Sequence, residues 1–189
     1  MEAQLGTGTV AVRPIGRPAP DEAAAYYFGY IDKVPGEDVL AELEAQLDRA
    51  VALWNGISEE TSRYRYEPGK WSIREVLGHI NDTERLFQAR AFWFARGFDT
   101  PLPSFEQETS AANAGADELP WARHVEEFRS IRGATLTFFQ NLPARAWLMC
   151  GIASGNRFTV RALAFLAVGH LTHHVDIVVS RYLRKGEAS

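Results

Sequence analysis

The chain is poor in sulfur and in concentrated charge. Its 189 residues include one cysteine, Cys150, and two methionines. A lone cysteine excludes an internal disulfide framework, and with no CxxC pair present the chain suits a reducing cytosol. Cys150 has no charged flank that would activate a nucleophile; beside Met149, in an apolar link, it reads as a small packing residue. The formal net charge is −4 and no basic block occurs, which argues against nucleic-acid binding through phosphate neutralisation. A Gly-rich phosphate loop followed by Lys-Ser/Thr is missing as well. There is no internal repeat and no low-complexity segment. The richest apolar run, Ala162 to Val168, is too short to span a bilayer. The opening MEAQLGTGTVAVRPIGRPAPDEA carries an early acid and no uninterrupted apolar core, unlike a secretory signal. These absences lead to the expectation of a cytoplasmic protein with neither membrane nor nucleic acid as a partner.

What is present is ordinary in bulk and specific in pattern. With 46% hydrophobic and 23% charged residues, the chain suits one domain, residues 1–189, with a sizeable core. Residues 1–36 contain Pro14, Pro18, Pro20 and Pro35 and cannot form a long helix. The cluster Tyr26, Tyr27, Phe28, Tyr30 and Ile31 is too apolar for a free tail, so an arm is expected that packs these groups on the body. A first helix is expected from about Glu37 to Ser58, on the stripe Leu40, Leu43, Leu47, Ala50, Val51 and Trp54. Ser72 followed by Glu75 makes a capping box, with Trp71 and Val76 as the staple around it, so a second helix runs from Ser72 to about Arg96. Gly97 to Glu118 is long for a helix-to-helix link. It either crosses the length of a bundle or covers a site. A third helix spans about Pro120 to Leu142, and Ala144 to Arg157 forms a link with a Ser154-Gly155-Asn156 turn. Thr159 caps the fourth helix, Val160 to Leu183. Four amphipathic helices make an all-α four-helix bundle.

The fourth helix carries the chemistry. Leu163, Leu166, Ala167, His170, His174, Ile177 and Val178 share one face. Two imidazoles one turn apart in an apolar stripe must find partners. Either each is a core histidine bonded to a neighbouring helix, or together they ligate a divalent metal. His79, beside the apolar face of the second helix, is the candidate third ligand. Three neutral imidazoles favour zinc, nickel, copper or iron over magnesium or calcium and leave coordination positions open. Asp82 shares the side of His79 and is either an orienting acid or a solvated one. His173 lies one step round from the pair, as a substrate contact, a proton carrier or a residue at the bundle edge. Glu84 is expected to be a partly buried acid, and His124 a surface or capping histidine.

The segments YYFGYIDKVPGEDVL, EPGKWSIREVLGHINDTERLFQAR and ASGNRFTVRALAFLAVGHLTHHVDIVVSRYL resemble the DinB-like superfamily of bacterial helix-bundle proteins. The resemblance implies an up-down-down-up bundle with a long crossover between the second and third helices. It implies a divalent metal on His79, His170 and His174, and often a homodimer. Characterised relatives include thiol-dependent transferases and isomerases. The leading expectation is therefore a metal-dependent thiol S-transferase acting on a small electrophile, with zinc or nickel and a low-molecular-weight thiol. A metal-dependent hydrolase using activated water is the first alternative. A non-catalytic dimeric stress-response or binding module with a structural metal is the second.

Overall fold

In the computed structural model, which describes residues 15–183, three of the four long helices begin at a residue whose side chain closes the first turn. The chain order is a short helix α1 (Phe28–Ile31), then long helices α2 (Val39–Asn55) and α3 (Ile73–Ala95). A short α4 (Gln107–Asn113) precedes the long α5 (Trp121–Gln140). A hairpin, β1 (Cys150–Ala153) with β2 (Asn156–Thr159), leads into α6 (Val160–Ile177), which continues as a π-helix over Val178–Leu183. Asp38 caps α2 by accepting from the Ala41 amide, and Thr159 caps α6 through Ala162. The capping box of α3 is complete: Ser72 Oγ accepts from the Glu75 amide at 3.2 Å, and Glu75 accepts from the Ser72 amide at 2.7 Å. Pro120 sits at the cap position of α5, and Glu59 Oε2, from outside that helix, accepts the Trp121 amide at 2.8 Å. Gly97 follows the α3 cap at φ 80°, the left-handed conformation that ends helices cheaply only at glycine.

Contacts along the helices fix the topology. Arg132 of α5 reaches Gln46 of α2, while the Trp121 indole donates to the Trp54 carbonyl, so these two run antiparallel. On α3 and α5 the contacts advance together, from Arg74 with Leu119 to Glu84 with Arg132, so this pair is parallel. The α3–α6 pair is antiparallel, with Tyr182 on the Trp71 carbonyl at one end and Arg90 on Ser154 at the other. The order is up-down-down-up. The segment between α3 and α5 makes the return crossing, and on its way it joins the hairpin. The Leu102 amide donates to the Ile152 carbonyl at 2.9 Å, and the Ser154 amide to the Leu102 carbonyl at 3.1 Å.

The core has two apolar clusters with a polar layer between them. One gathers Val39, Leu43, Phe87, Phe94, Phe139 and Leu163 to Val168; the other gathers Trp54, Ile73, Leu77, Trp121, Phe128, Leu171 and Val178. At the depth between them, each long helix contributes a buried polar group: Gln46, Glu84, Arg132 and His170. The guanidinium of Arg132 donates to Glu84 Oε2 at 2.7 and 3.0 Å, to Gln46 Oε1 at 2.7 Å and to the Ala167 carbonyl at 3.2 Å. Gln46 in turn donates to the Val168 carbonyl and to Thr172. Glu84 is thus a fully buried member of an ion pair, beyond the partial burial expected of it.

Several expectations change. The first fourteen residues of the expected arm lie outside the described residues. From Ile15 onward the arm packs on the bundle, with Ile31 and Val34 buried and the Tyr27 ring 4.8 Å from that of Phe158. Tyr26 is the exception, at 71% exposed. The link before α6 is a hairpin, because Ser154-Gly155 supplies two left-handed residues at its turn. That hairpin turns Cys150 outward, so the cysteine is exposed and not a packing group. His124 is buried, not on the surface, and its Nε2 donates to the Ala116 carbonyl at 2.8 Å. The stretch Val160–Leu183 is long and apolar enough to cross a membrane by length and composition. In the fold it is the central helix, packed by α1, α2 and α3, and its apolarity follows from that position.

Candidate metal centre

Two helices of opposite direction bring the three expected histidines together. His79 sits two turns into α3, held in register by the capping box, and His170 and His174 occupy successive turns of α6. The Nε2 atoms of His79 and His170 are 3.1 Å apart, as are those of His174 and His170. One candidate ligand atom from each of the three lies within 4.8 Å of the other two. Two nitrogens each ~2.0–2.1 Å from one zinc, at angles of about 90–110°, lie ~2.9–3.4 Å from one another. The two 3.1 Å spacings are therefore those of donors sharing an ion. Hydrogen bonding alone satisfies the arrangement poorly. His170 Nε2 faces two other Nε2 atoms and, as a donor, has one proton to give. The residues fit a divalent metal.

The surroundings keep the donors neutral, as ligation requires. Burial lowers all three imidazoles. His79 falls to about 4, although the Asp82 carboxylate acts the other way. His174 falls to about 3 through burial and then the neighbouring His79 and His173. His170 lies well below its ordinary value, through burial first, then His174, His79, His173 and Arg132. Aromatic rings close around the cluster. Trp71 is 5.0 Å from His79, Phe87 is 5.9 Å from His170, and Tyr30 is 5.7 Å from His170, centroid to centroid. Thr83 Oγ1 lies 3.5 Å from His79 Nδ1, so the proton of the ligating tautomer has an acceptor in reach.

Two clefts meet at the triad. One, of about 150 Å³, reaches His79 and His170 between Tyr27, Tyr30, Phe87 and Arg90. The other, of about 270 Å³, reaches His174 between Tyr66, Trp71 and Tyr182. Gln107, at the start of α4, lines both, so the crossover also covers the site. Larger clefts of about 480 and 530 Å³ lie elsewhere and contain none of the three histidines. Ligand chemistry rather than size selects the site.

The other candidate residues are placed as follows. Asp82 accepts from Ser110 at 2.7 Å and from Arg85 at 3.3 Å; the hydrogen-bond partner at His79 Nδ1 is Thr83. His173 lies at the rim, its ring 5.2 Å from Tyr30 and 5.0 Å from His174. Sequence reasoning missed Arg132, Gln46 and Arg90. A signal was available for the arginines. Arg132 stands among Phe128, Thr135 and Phe139 on the α5 stripe, and Arg90 falls between Phe87 and Phe94 on that of α3.

Comparison with known proteins places these features among relatives. The family model described as the DinB superfamily matches residues 42–178. A protein of Geobacillus thermodenitrificans (strain NG80-2), named "Putative metal-dependent hydrolase", is 26% identical over 149 residues, covering 78% of this chain and 82% of that protein. The solved structure of YfiT from Bacillus subtilis superposes with a TM-score of 0.66 at 17% identity, covering 89% of this chain and 93% of that one. Its description is "a probable metal-dependent hydrolase with an unusual four-helix bundle topology". The structural likeness is one of fold.

Proposed function

The chain belongs to the DinB superfamily, and from that premise we propose that it is a metal-dependent hydrolase acting on a small molecule. The observation that carries this reading is the convergence of three neutral imidazoles, His79 and His170 buried and His174 half-buried, where two clefts meet. The name of the Geobacillus relative supports it. His79, His170 and His174 would hold the ion, and zinc or nickel is the ion we propose, since imidazole suits both. Three protein ligands leave it open to exchangeable ones, the arrangement of catalytic rather than structural zinc. When bound, such an ion supplies Lewis acidity and brings the pKa of a water molecule toward neutrality.

The chain's own residues do the rest. Thr83 holds the His79 ring by its Nδ1 side. Tyr30, Phe87 and Trp71 keep bulk water from the imidazoles and so lower the dielectric around the charge they would hold. Outside the triad, Asp82, His173 and Arg132 are the ionisable groups whose charges act on it. His173, its ring against Tyr30 and His174 at the rim, is the residue we propose as the proton carrier. Hydrolysis adds one water across an acyl–oxygen or acyl–nitrogen bond, the hydroxyl going to the acyl carbon and the proton to the leaving atom.

The test is turnover of small p-nitrophenyl esters by protein loaded with zinc or nickel. The expected result is a metal-dependent rate that needs no added thiol, vanishes in His170→Ala, and shows a pH limb near neutrality. A rate that appears only with a low-molecular-weight thiol and an alkylating electrophile would replace hydrolysis by S-transfer at the same centre. Metal retained without turnover of either kind would remove the enzyme reading.

A further inference from the structure

Arg90 is a buried cation without a counter-ion. Its residue is 3% exposed, and among the described residues no carboxylate lies within ion-pair distance of it. The contrast with Arg132 is direct, since Arg132 is equally enclosed and held by Glu84. Nη2 of Arg90 donates to the Pro103 carbonyl at 3.2 Å and to Ser154 Oγ at 2.8 Å, which ties the crossover and the hairpin to α3. Nε is buried and has no partner at all. An uncompensated buried charge and an orphaned N–H are both costly. Loop anchoring requires neither, because a neutral donor would serve it. Burial also lowers the guanidinium's affinity for its proton, which marks the same unmet charge.

The position of this charge gives it a use. Arg90 lines the cleft that ends at His79 and His170, with Tyr27, Tyr30, Phe87 and Phe105 as walls. Eleven residues of α3 separate it from His79, a rise of ~16 Å, which an arginine side chain leaning toward the helix start shortens to ~10 Å. We propose that Arg90 is a substrate-recognition residue that binds a carboxylate on the substrate at the far end of the histidine cleft. The inference deepens the hydrolase reading and rests on it: the substrate class is a small ester or amide bearing a free carboxylate a few bonds from the scissile carbonyl. A single open charge matches a monoanion, and the aromatic walls match a short carbon chain.

The experiment has a binding arm and a turnover arm. In the first, glutarate monomethyl ester and neutral dimethyl glutarate are titrated into metal-loaded protein by calorimetry. Wild type is expected to prefer the monoanion by roughly 10–100-fold, the scale of a hydrogen bond to a charged group. Arg90→Met is expected to lose that preference and Arg90→Lys to keep part of it. In the second arm, p-nitrophenyl hydrogen glutarate and p-nitrophenyl valerate are compared, and kcat/KM is expected to favour the acid in wild type alone. Absence of turnover with a retained binding preference would defeat the hydrolase reading and leave the carboxylate site standing. No preference for the monoanion in wild-type binding would overturn the site, and needs no variant to fold. A preference unchanged in Arg90→Met would overturn it equally.

Discussion

At the scale of single residues, the polar groups in this core are where substitutions matter most. Arg132 and Glu84 are both essentially sealed from solvent, and their pair stands beside the histidine layer. Glu84 uses only Oε2 toward Arg132 and leaves Oε1 buried without a partner. Removing one member of a buried pair strands the other. Glu84→Leu is therefore expected to destabilise the fold by about 3–5 kcal/mol in urea unfolding. A loss below about 1 kcal/mol, the size of a surface pair, would show that solvent reaches Arg132 in the native state. The same residues mark the limit of what could be read without coordinates. His170 and His174 stand out because imidazoles interrupt an apolar face. Glu84 was visible only as a helix acid leaning inward, since its burial depends on Arg132 from another helix.

At the scale of elements, two contacts set the arm against the central helix. The first is Gly169, one residue before His170. A Cβ built there falls on the Tyr30 carbonyl of α1, so only glycine admits this approach. Gly169→Ala is expected to cost about 1–3 kcal/mol by overpacking and to displace Tyr30 from beside His170. An unchanged melting temperature with an unchanged tyrosine environment would mean that α1 does not pack as described. The second contact is Glu22, which accepts from Thr159 at 2.7 Å and from Arg161, tying the arm to the start of α6. Burial alone would raise its carboxyl, but Arg161, the Ala19 amide and Thr159 together hold it below the ordinary 4.5. As pH falls, the unfolded chain therefore takes up this proton first. The contribution of Glu22 is complete above about pH 4.5 and is lost as pH drops through the folded value. As pH falls from about 4.5 toward the folded value, Glu22→Gln should lose melting temperature less steeply than wild type. Parallel acid limbs would contradict the assignment. Helix starts were the most legible elements, because Ser72 with Glu75, and Thr159, are local signals. The hairpin was not, since Cys150-Gly-Ile-Ala is too short to show alternation, and its edge is completed by Leu102 from about fifty residues away.

At the scale of the whole molecule, the bundle serves to hold one polar layer at mid-depth between two apolar clusters. The up-down-down-up order places α3 antiparallel to α6, so that His79 meets His170 and His174 at the same level. It also requires the long crossover whose Gln107 and Phe105 shape the clefts above them. The four helices were legible from periodicity, and the topology from family resemblance, whereas the depth at which each polar group lies follows only from the packed structure. His79, His170 and His174, at this depth, are able to hold one divalent metal ion. Mass spectrometry of untagged protein, purified without chelator, tests it most directly, with His79→Ala and His170→Ala measured alongside. About one zinc or nickel per chain is expected in the wild type, with loss of that metal in both variants, whose folds remain intact. Wild-type protein that holds no metal, even after incubation with zinc and nickel, would contradict it and leave the three histidines as packing groups.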